Sequence, residues 1–141
     1  MEKHNLKTEK ILLDRFAKDN IIALATVEDG VPFVRNVNAY YEDGAFYVIT
    51  YALSRKMRQI GKNQAVALAG EWFTAHGTGE NLGYFCKPEN QQIAEKLKKA
   101  FSAWIDNGHN NFADKNTCIL RIRLTDGILF SDGAMYEIDF T

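Results

Sequence analysis

The sequence predicts a mainly β fold, either a sandwich or a small barrel, with flanking helices that make it α+β by content. Short apolar runs rich in Val, Ile, Tyr and Phe follow one another closely, as in sheets of many short strands. Asp-Gly pairs, which favour tight hairpins, recur at Asp29-Gly30, Asp43-Gly44, Asp126-Gly127 and Asp132-Gly133. No regular strand–helix alternation and no Gly-x-Gly-x-x-Gly motif are present, which disfavours a parallel dinucleotide-binding fold.

Composition limits the class of protein. The chain has 141 residues, of which 46% are hydrophobic and 12% aromatic, so we expect one domain over residues 1–141 with a real core. The net charge of −1 gives no general attraction to nucleic acid or to an anionic membrane. The polar N-terminus is unlike a signal peptide, and no apolar run is long enough to cross a membrane. We therefore expect a soluble, cytoplasmic protein.

The first half of the chain predicts a helix and three strands. The helix spans Lys7–Asn20, is capped by Thr8, and places Leu12 and Phe16 on one face. We expect it to lie on the barrel, although an exposed helix that binds a partner is the alternative. The strands are Ile21–Val27, which we expect to be buried on both sides, Val31–Tyr41 and Ala45–Tyr51.

The second half predicts two helices and five strands. Ser54–Gly61 forms a short helix with Met57 and Ile60 facing inward. Pro88 opens a longer helix, Pro88–Asp106, because proline suits the first helical turn. Its apolar stripe consists of Ile93, Leu97, Ala100 and Trp104. The strands are Gln64–Ala69, Trp72–Leu82, Cys118–Leu124, Gly127–Phe130 and Ala134–Phe140.

Arg35 is the first candidate for an anion site. It shares strand parity with Phe33 and Val37, and an arginine on an apolar face needs a charged or hydrogen-bonding partner. An Asp or Glu of the same chain is one such partner. A phosphate is the sharper hypothesis, because the guanidinium fork matches phosphate geometry.

The segment Ser54-Arg55-Lys56 begins the second predicted helix. A helix N-terminus offers unpaired N–H groups and a positive dipole end, and this one adds a hydroxyl and two cations. A plain N-cap with two solvated cations and a phosphate site shared with Arg35 both fit the spacing. Thr50 and Tyr51, at the end of the preceding strand, could contact the edge of a heteroaromatic ring, although both residues are also common in strands.

Two segments resemble a known family. FYVITYALSRKMRQIGKNQAVALAG (residues 46–70), preceded by the strand arginine Arg35, resembles the flavin-binding segment of the pyridoxamine 5′-phosphate oxidase-like family of FMN-binding split β-barrels. The ending GILFSDGAMYEIDF (residues 127–140) is similar to the closing hairpin of its smaller members, including the general stress protein 26-like proteins. The resemblance covers most of the chain from Ile21 onward.

The resemblance implies a six-stranded antiparallel split β-barrel with flanking helices, acting as a homodimer with FMN in the interface. It implies phosphate contacts from Arg35, Arg55 and Lys56, with Ser54 nearby. The strand from Glu71 to His76 of the second subunit would then close over the flavin. Ring contacts are implied for Ile49, Thr50 and Tyr51, and Trp72 and Thr74 complete the set of expected cofactor-binding residues.

We expect an FMN-dependent oxidoreductase that acts on an unidentified small molecule. Two departures from the family's oxidase argue against pyridoxamine 5′-phosphate oxidase activity: Asn38-Ala39-Tyr40 lacks the lysine that helps to hold substrate phosphate, and the chain shows no Arg-x-His segment after the closing hairpin. The alternatives are a flavin-binding stress protein without turnover, and a haem or deazaflavin binder that uses the same groove.

The remaining titratable residues predict no catalytic or metal site. His4, His76 and His109 lack metal-ligand spacing, so we expect no zinc site. His76 follows the predicted interface strand and could touch a cofactor, but an exposed or structural role is favoured. His109 lies in a polar loop, and the sequence leaves open whether it reaches a pocket. Cys86 and Cys118 have no nucleophile signature and are expected as free thiols.

Overall fold

The computed structural model of the chain describes residues 1–108 and 110–141, so the prediction for His109 lies outside the described residues. Within this part, six antiparallel strands close into a barrel, joined by two further strands and three α-helices. The predicted split barrel with flanking helices is confirmed. The helices are α1 (Leu6–Phe16), α2 (Arg55–Lys62) and α3 (Gln91–Ala100). The strands are β1 (Glu2–Lys3), β2 (Asn20–Glu28), β3 (Val31–Glu42), β4 (Ala45–Tyr51), β5 (Ala65–Gly70), β6 (Phe73–Tyr84), β7 (Thr117–Ser131) and β8 (Ala134–Asp139).

The barrel opens between β3 and β4. Its strands follow the order β7-β4-β3-β2-β5-β6, and pairing of β6 with β7 closes the circle. The ladder between β3 and β4 contains only Tyr40–Tyr47, Tyr41–Phe46 and Glu42–Ala45. Beyond these pairs β4 continues along β7, whereas β3 continues along β2, so the two strands diverge. This divergence creates the groove described below.

Three of the four predicted Asp-Gly turns are confirmed. Asp29, Asp43 and Asp132 have φ values of 53°, 48° and 50°, and the glycine after each is also at positive φ. Positive φ at both central residues defines the type I′ turn, whose twist matches that of paired strands. Each turn joins two antiparallel strands with a two-residue loop.

The fourth predicted turn, Asp126-Gly127, is wrong. Both residues lie inside β7, which is one continuous strand from Thr117 to Ser131. A register shift where β6 pairs with this region marks a bulge, so the strand bends without ending. Gly127 is required here by close packing, because a Cβ would lie 2.9 Å from the Phe73 ring.

Several element boundaries differ from those predicted. Helix α1 begins at Leu6 rather than Lys7, because Asn5 is the N-cap and Thr8 completes a capping box. The predicted long helix consists of a 3₁₀ turn at Pro88–Asn90 followed by α3, which ends at Ala100. No helix in residues 1–108 and 110–141 combines the length and apolarity needed to span a bilayer.

The prediction that the first strand is buried on both sides is also wrong. In β2 only one face is buried, with Ile22, Leu24 and Thr26 inside the barrel, while Ile21 remains 63% exposed. Two apolar clusters hold the fold together. One fills the barrel and includes Leu12 and Phe16 of α1; the other packs α3 against the outer side of β7 and contains Leu97, Phe101 and Ile119.

Candidate functional site

Helix α2 packs against β2 and β6, and Lys56 in its first turn lines the groove where β3 and β4 diverge. Met57 and Ile60 are buried in the barrel cluster, as the sequence predicted. Ser54 is the N-cap, and its Oγ accepts a hydrogen bond from the Met57 backbone N–H at 3.3 Å. The remaining N–H groups of the first turn have no partner within the helix, so this end can bind an anion.

Arg35 lies on the inward face of β3 and donates only to uncharged acceptors. Nη1 donates to the Thr26 hydroxyl at 2.8 Å and to the Leu24 carbonyl at 3.1 Å, while Nη2 donates to Gln59 Oε1 at 3.2 Å. No Asp or Glu of the described residues forms an ion pair with it. The alternative of an acidic partner within the chain is therefore wrong for Arg35, because no carboxylate of the described residues bonds to it directly.

Gln59 connects this arginine to the rest of the site. The side chain is 1% exposed and lies on α2, where its Oε1 accepts from both Thr26 and Arg35. Its Nε2 donates to Glu28 Oε1 at 3.2 Å. Sequence reasoning missed Gln59 and Thr26. One signal in the sequence would have identified Gln59, namely its position on the inward side of α2, between Met57 and Ile60.

Arg55 and Lys56 stand beside Arg35 at the start of α2. The Arg55 guanidinium lies over the Phe33 ring, 4.4 Å from its centroid, and its Nη2 is 3.7 Å from Glu28 Oε1. Lys56 forms no hydrogen bond or ion pair with any residue in the described part of the chain. The structure thus brings together the three cations that the sequence singled out.

Burial, together with mutual repulsion, disfavours the charged forms of Lys56 and Arg35. Burial lowers the pKa of Lys56, and the positive charge of Arg35 lowers it further, while Cys118 opposes the change. Burial likewise lowers the pKa of Arg35, with Arg55 adding to the effect. A bound anion would relieve both effects, because an opposite charge favours the protonated form of each group.

A groove of about 360 Å³ leads from Lys56 between the diverging strands. Ligand pockets typically measure about 300–1,000 Å³, so the groove is large enough for a flat ring system. Ile49 lines it, whereas Thr50 and Tyr51 lie just beyond on the same strand, and the contact of these three residues with a flavin ring stays a prediction. The complete lining is Val37, Asn38, Val48, Ile49, Lys56, Trp104, Asn107 and Asn110.

Trp72 and Thr74 lie away from this groove in the single chain. Trp72 occupies the turn between β5 and β6, is 70% exposed, and contacts Phe130 with ring centroids 6.4 Å apart. Thr74 and His76 follow on the outward face of β6 and line a second groove of about 370 Å³. The predicted contact of Trp72 and Thr74 with a flavin requires a second subunit and stays a prediction.

We call the outward surface of β3, β2, β5, β6 and β7 the open face. Small and apolar side chains line its groove, among them Ala23, Ala25, Val34, Ala67 and Ile128. Val34 is 70% exposed, and exposed apolar surface of this kind marks interaction sites. The only polar pair that lines its groove among the described residues is His76 and Asp126, joined at 2.8 Å.

The remaining histidine and cysteine residues do not form a second metal-binding or catalytic site in the described part of the chain. Within residues 1–108 and 110–141, no cluster of His, Cys, Asp and Glu could hold a metal ion. Both cysteines are free thiols; Cys86 is exposed, whereas burial raises the pKa of Cys118 to about 11. His4 contacts Thr8 and Glu9 at the start of α1. None of these residues adds a nucleophile or base to the groove beside Lys56.

Comparison with known proteins agrees with the fold. The family model described as pyridoxamine 5′-phosphate oxidase matches residues 9–129. No curated protein matches the chain by sequence.

Solved structures resemble the fold at low sequence identity. General stress protein 26 from Bacillus anthracis is 17% identical, with a TM-score of 0.68 over 94% of this chain and 99% of that one. An FAD-binding protein from Mesorhizobium loti is 17% identical, with a TM-score of 0.67 over 88% and 91%. A haem-binding protein from Mycobacterium smegmatis is 15% identical, with a TM-score of 0.67 over 87% and 54%. At these identities the likeness shows the fold alone.

Proposed function

The chain belongs to the pyridoxamine 5′-phosphate oxidase family, and from that membership we propose that it binds FMN and acts as a flavin-dependent oxidoreductase. One observation carries the proposal: Arg35, Arg55 and Lys56 converge at the N-terminus of α2, at the end of the groove, with a deficit of negative charge. A phosphate monoester dianion matches this set of donors. FMN ends in such a group, and its ring system is flat.

The donors fit the phosphate in distinct ways. Arg35 is already held by Thr26 and Gln59, so it supplies a fixed positive charge at the floor of the site. Lys56 has no competing hydrogen bond in the described residues and supplies the most available ammonium donors. Arg55 is 64% exposed and only loosely paired with Glu28, so it can turn toward a ligand. Ser54 and the first-turn N–H groups complete the proposed site.

The flavin ring is proposed to lie along the groove between β3 and β4. Val37, Val48 and Ile49 supply the apolar part of its lining, and Thr50 and Tyr51 follow along β4. On its β3 side, β4 has no ladder partner among the described residues after Tyr47. Backbone groups on that edge are therefore available to the polar rim of a heteroaromatic ring.

A second copy of the chain is proposed to cover the open face. Alanine side chains from β2 and β5 permit close approach, and Val34 and Ile128 supply apolar area on either side. Such a homodimer would also bring Trp72 and Thr74 of one subunit toward the ligand of the other, as the family resemblance implies. An interface of this kind would remove the exposed apolar groove from water, which is the main driving force for association.

When bound, the flavin would supply the redox chemistry, and the protein would position and shield it. The residues of this chain bind the phosphate, support the ring and exclude water from the groove. The lysine that helps the family's oxidase to hold substrate phosphate is absent from Asn38-Ala39-Tyr40. We therefore propose a substrate other than pyridoxamine 5′-phosphate.

The visible absorption spectrum of the purified protein tests the cofactor directly. Flavin bands near full occupancy, released as FMN on denaturation, are expected. A colourless protein that binds added haem with a Soret band, and does not bind added FMN, would overturn the proposal in favour of haem. Anaerobic reduction by NADH or NADPH, followed by reoxidation with added acceptors, then separates an oxidoreductase from a flavin-binding protein without turnover.

A further inference from the structure

Trp104 lies at the groove although it belongs to no predicted site. It follows α3 and packs against Phe101, with ring centroids 4.8 Å apart and an interplanar angle of 28°. One face of the indole is covered by this stacking. Trp104 also lines the groove beside Ile49 and Lys56, so part of its side chain faces the space that a ligand would occupy.

The indole is held in place by a bridge through Asp19. Trp104 Nε1 donates to Asp19 Oδ2 at 2.9 Å, and Asn38 Nδ2 donates to Asp19 Oδ1 at 3.0 Å. One carboxylate thus ties the segment after α3 to β3. Both tied residues line the groove, so the bridge sets the distance between its two walls.

We infer that Asn38 and Trp104 form a subsite for a flat, uncharged heteroaromatic ring, and that Asp19 is its positioning residue. The ring would stack on Trp104, since aromatic faces prefer stacked or edge-to-face contact. The bond to Asp19 uses the amide nitrogen of Asn38, so Oδ1 is the acceptor that Asn38 can offer to a ring N–H at the edge.

This inference rests on the proposed function, because the flavin is the ring that we assign to the subsite. The oxidised isoalloxazine ring is flat and uncharged, and it has one ring N–H. The arrangement also separates two tasks along one groove. Lys56 and the start of α2 recognise the phosphate, whereas Asn38 and Trp104 recognise the ring.

Riboflavin is the probe that separates these tasks, because it has the ring without the phosphate. In Trp104→Leu, affinity for FMN and for riboflavin should fall by the same factor, roughly tenfold, as expected for loss of one aromatic stacking contact. Flavin emission, which a contacting indole quenches by electron transfer, should rise in the bound state. Trp104→Phe should retain most of the affinity for both flavins, because it keeps an aromatic face.

Asp19→Ala tests the positioning role. Bound flavin should become brighter and its fluorescence anisotropy should fall, since Trp104 and Asn38 are no longer held together. Asp14→Ala, which removes an exposed carboxylate from α1, is the matched control and should change neither quantity. Circular dichroism and a melting curve verify that each variant is folded.

The outcomes distinguish this inference from the proposed function. Wild-type protein that binds FMN, together with a folded Trp104→Leu variant of unchanged affinity and unchanged flavin emission, would overturn the subsite and leave the proposed function intact. Wild-type protein that binds neither FMN nor riboflavin would overturn both. An affinity loss in Trp104→Leu confined to FMN would overturn the subsite as well, because that pattern belongs to the phosphate end.

Discussion

Arg35 donates a 2.8 Å hydrogen bond to the hydroxyl of Thr26, a residue that is fully buried on the neighbouring strand. The same hydroxyl donates to Gln59 Oε1, which in turn accepts from Arg35. The guanidinium is therefore oriented by neutral groups before any ligand arrives. Neutral partners keep its full positive charge for an anion, whereas an ion pair with Asp or Glu would have cancelled most of that charge.

Replacing Gln59 with Leu should destabilise the protein, because Thr26 and Arg35 each lose an acceptor in a buried place. Loss of a buried partner typically costs about 1–3 kcal/mol, and here two donors are affected. We expect a loss of unfolding free energy of roughly 2–4 kcal/mol in urea denaturation. Gln64→Leu, at an exposed position shortly after the same helix, is the control and should change it little. Equal effects of the two substitutions would show that the network contributes nothing.

Removing Arg55 and Lys56 together should abolish recognition of the phosphate but not of the ring. In the double variant Arg55→Ala/Lys56→Ala, we expect the Kd for FMN to rise at least about a hundredfold, because each hydrogen bond to a charged group contributes about 1.5–3 kcal/mol. Riboflavin should bind as well as it does to the wild type. Isothermal titration calorimetry measures both constants.

The control for this pair lies on the same helix. Arg58→Ala/Lys62→Ala removes the same charge from exposed positions of α2. It should weaken FMN binding only slightly, through the long-range field that salt screens. If both double variants bound FMN equally well, the assignment of the phosphate site to the start of α2 would be wrong.

Lys56→Met should stabilise the unliganded protein while it weakens FMN binding. Burial and Arg35 lower the pKa of Lys56, so at neutral pH the folded state contains a disfavoured charge that methionine removes. Between the lowered folded pKa and the ordinary value near 10.5, the unfolded chain binds the extra proton, so wild-type stability rises with pH relative to the variant. The advantage of the variant should thus be full at neutral pH and vanish as pH approaches 10.5.

Thermal melts at several pH values measure the stability of the unliganded Lys56→Met variant, and melts with added FMN measure its loss of affinity. Lys62→Met is the matched control, since Lys62 is an exposed lysine in the last turn of α2. It should show neither the gain in stability nor the loss of affinity. A Lys56→Met protein that melts below the wild type at neutral pH without FMN would contradict the argument.

Val34→Asp should prevent dimer formation. Val34 is 70% exposed on the open face and lines its groove, and a carboxylate there would have to be desolvated without a partner in the interface. Sedimentation velocity should give a monomer for the variant and a dimer for the wild type. FMN binding should weaken in parallel if both subunits build the site.

Leu6→Asp provides the comparison for this test. Leu6 is 90% exposed at the first position of α1, away from the open face, and the substitution adds the same charge. It should leave the dimer intact. A wild-type protein that is monomeric at micromolar concentration and still binds FMN tightly would contradict the interface placement.

Local signals predicted much of this fold. A type I′ turn needs two residues that tolerate positive φ, so three Asp-Gly pairs located their hairpins from sequence alone. Asp126-Gly127 has the same two residue types, yet it lies within β7. There the glycine is required by the Phe73 ring packed above it, and such a contact between distant residues leaves no local signature.

Helix ends were predicted less well for a related reason. Asn5, rather than Thr8, caps α1, because the side chain of Asn5 accepts hydrogen bonds from two backbone N–H groups of the helix. The Thr8 hydroxyl in turn accepts a hydrogen bond from the backbone N–H of Asn5. Either residue type suits a cap, so only the geometry of the chain entering the helix decides between them.

The sequence by itself determined the cations at the start of α2, the strand parity of Arg35, and the turns that bring them near one another. These follow from local propensity and periodicity, which act over a few residues. Only the tertiary structure decided what Arg35 bonds to, and that Asp19 joins Asn38 to Trp104, which lies 85 residues after Asp19 in the chain. Such partners depend on how barrel closure places distant strands, and no short segment of the sequence encodes that arrangement.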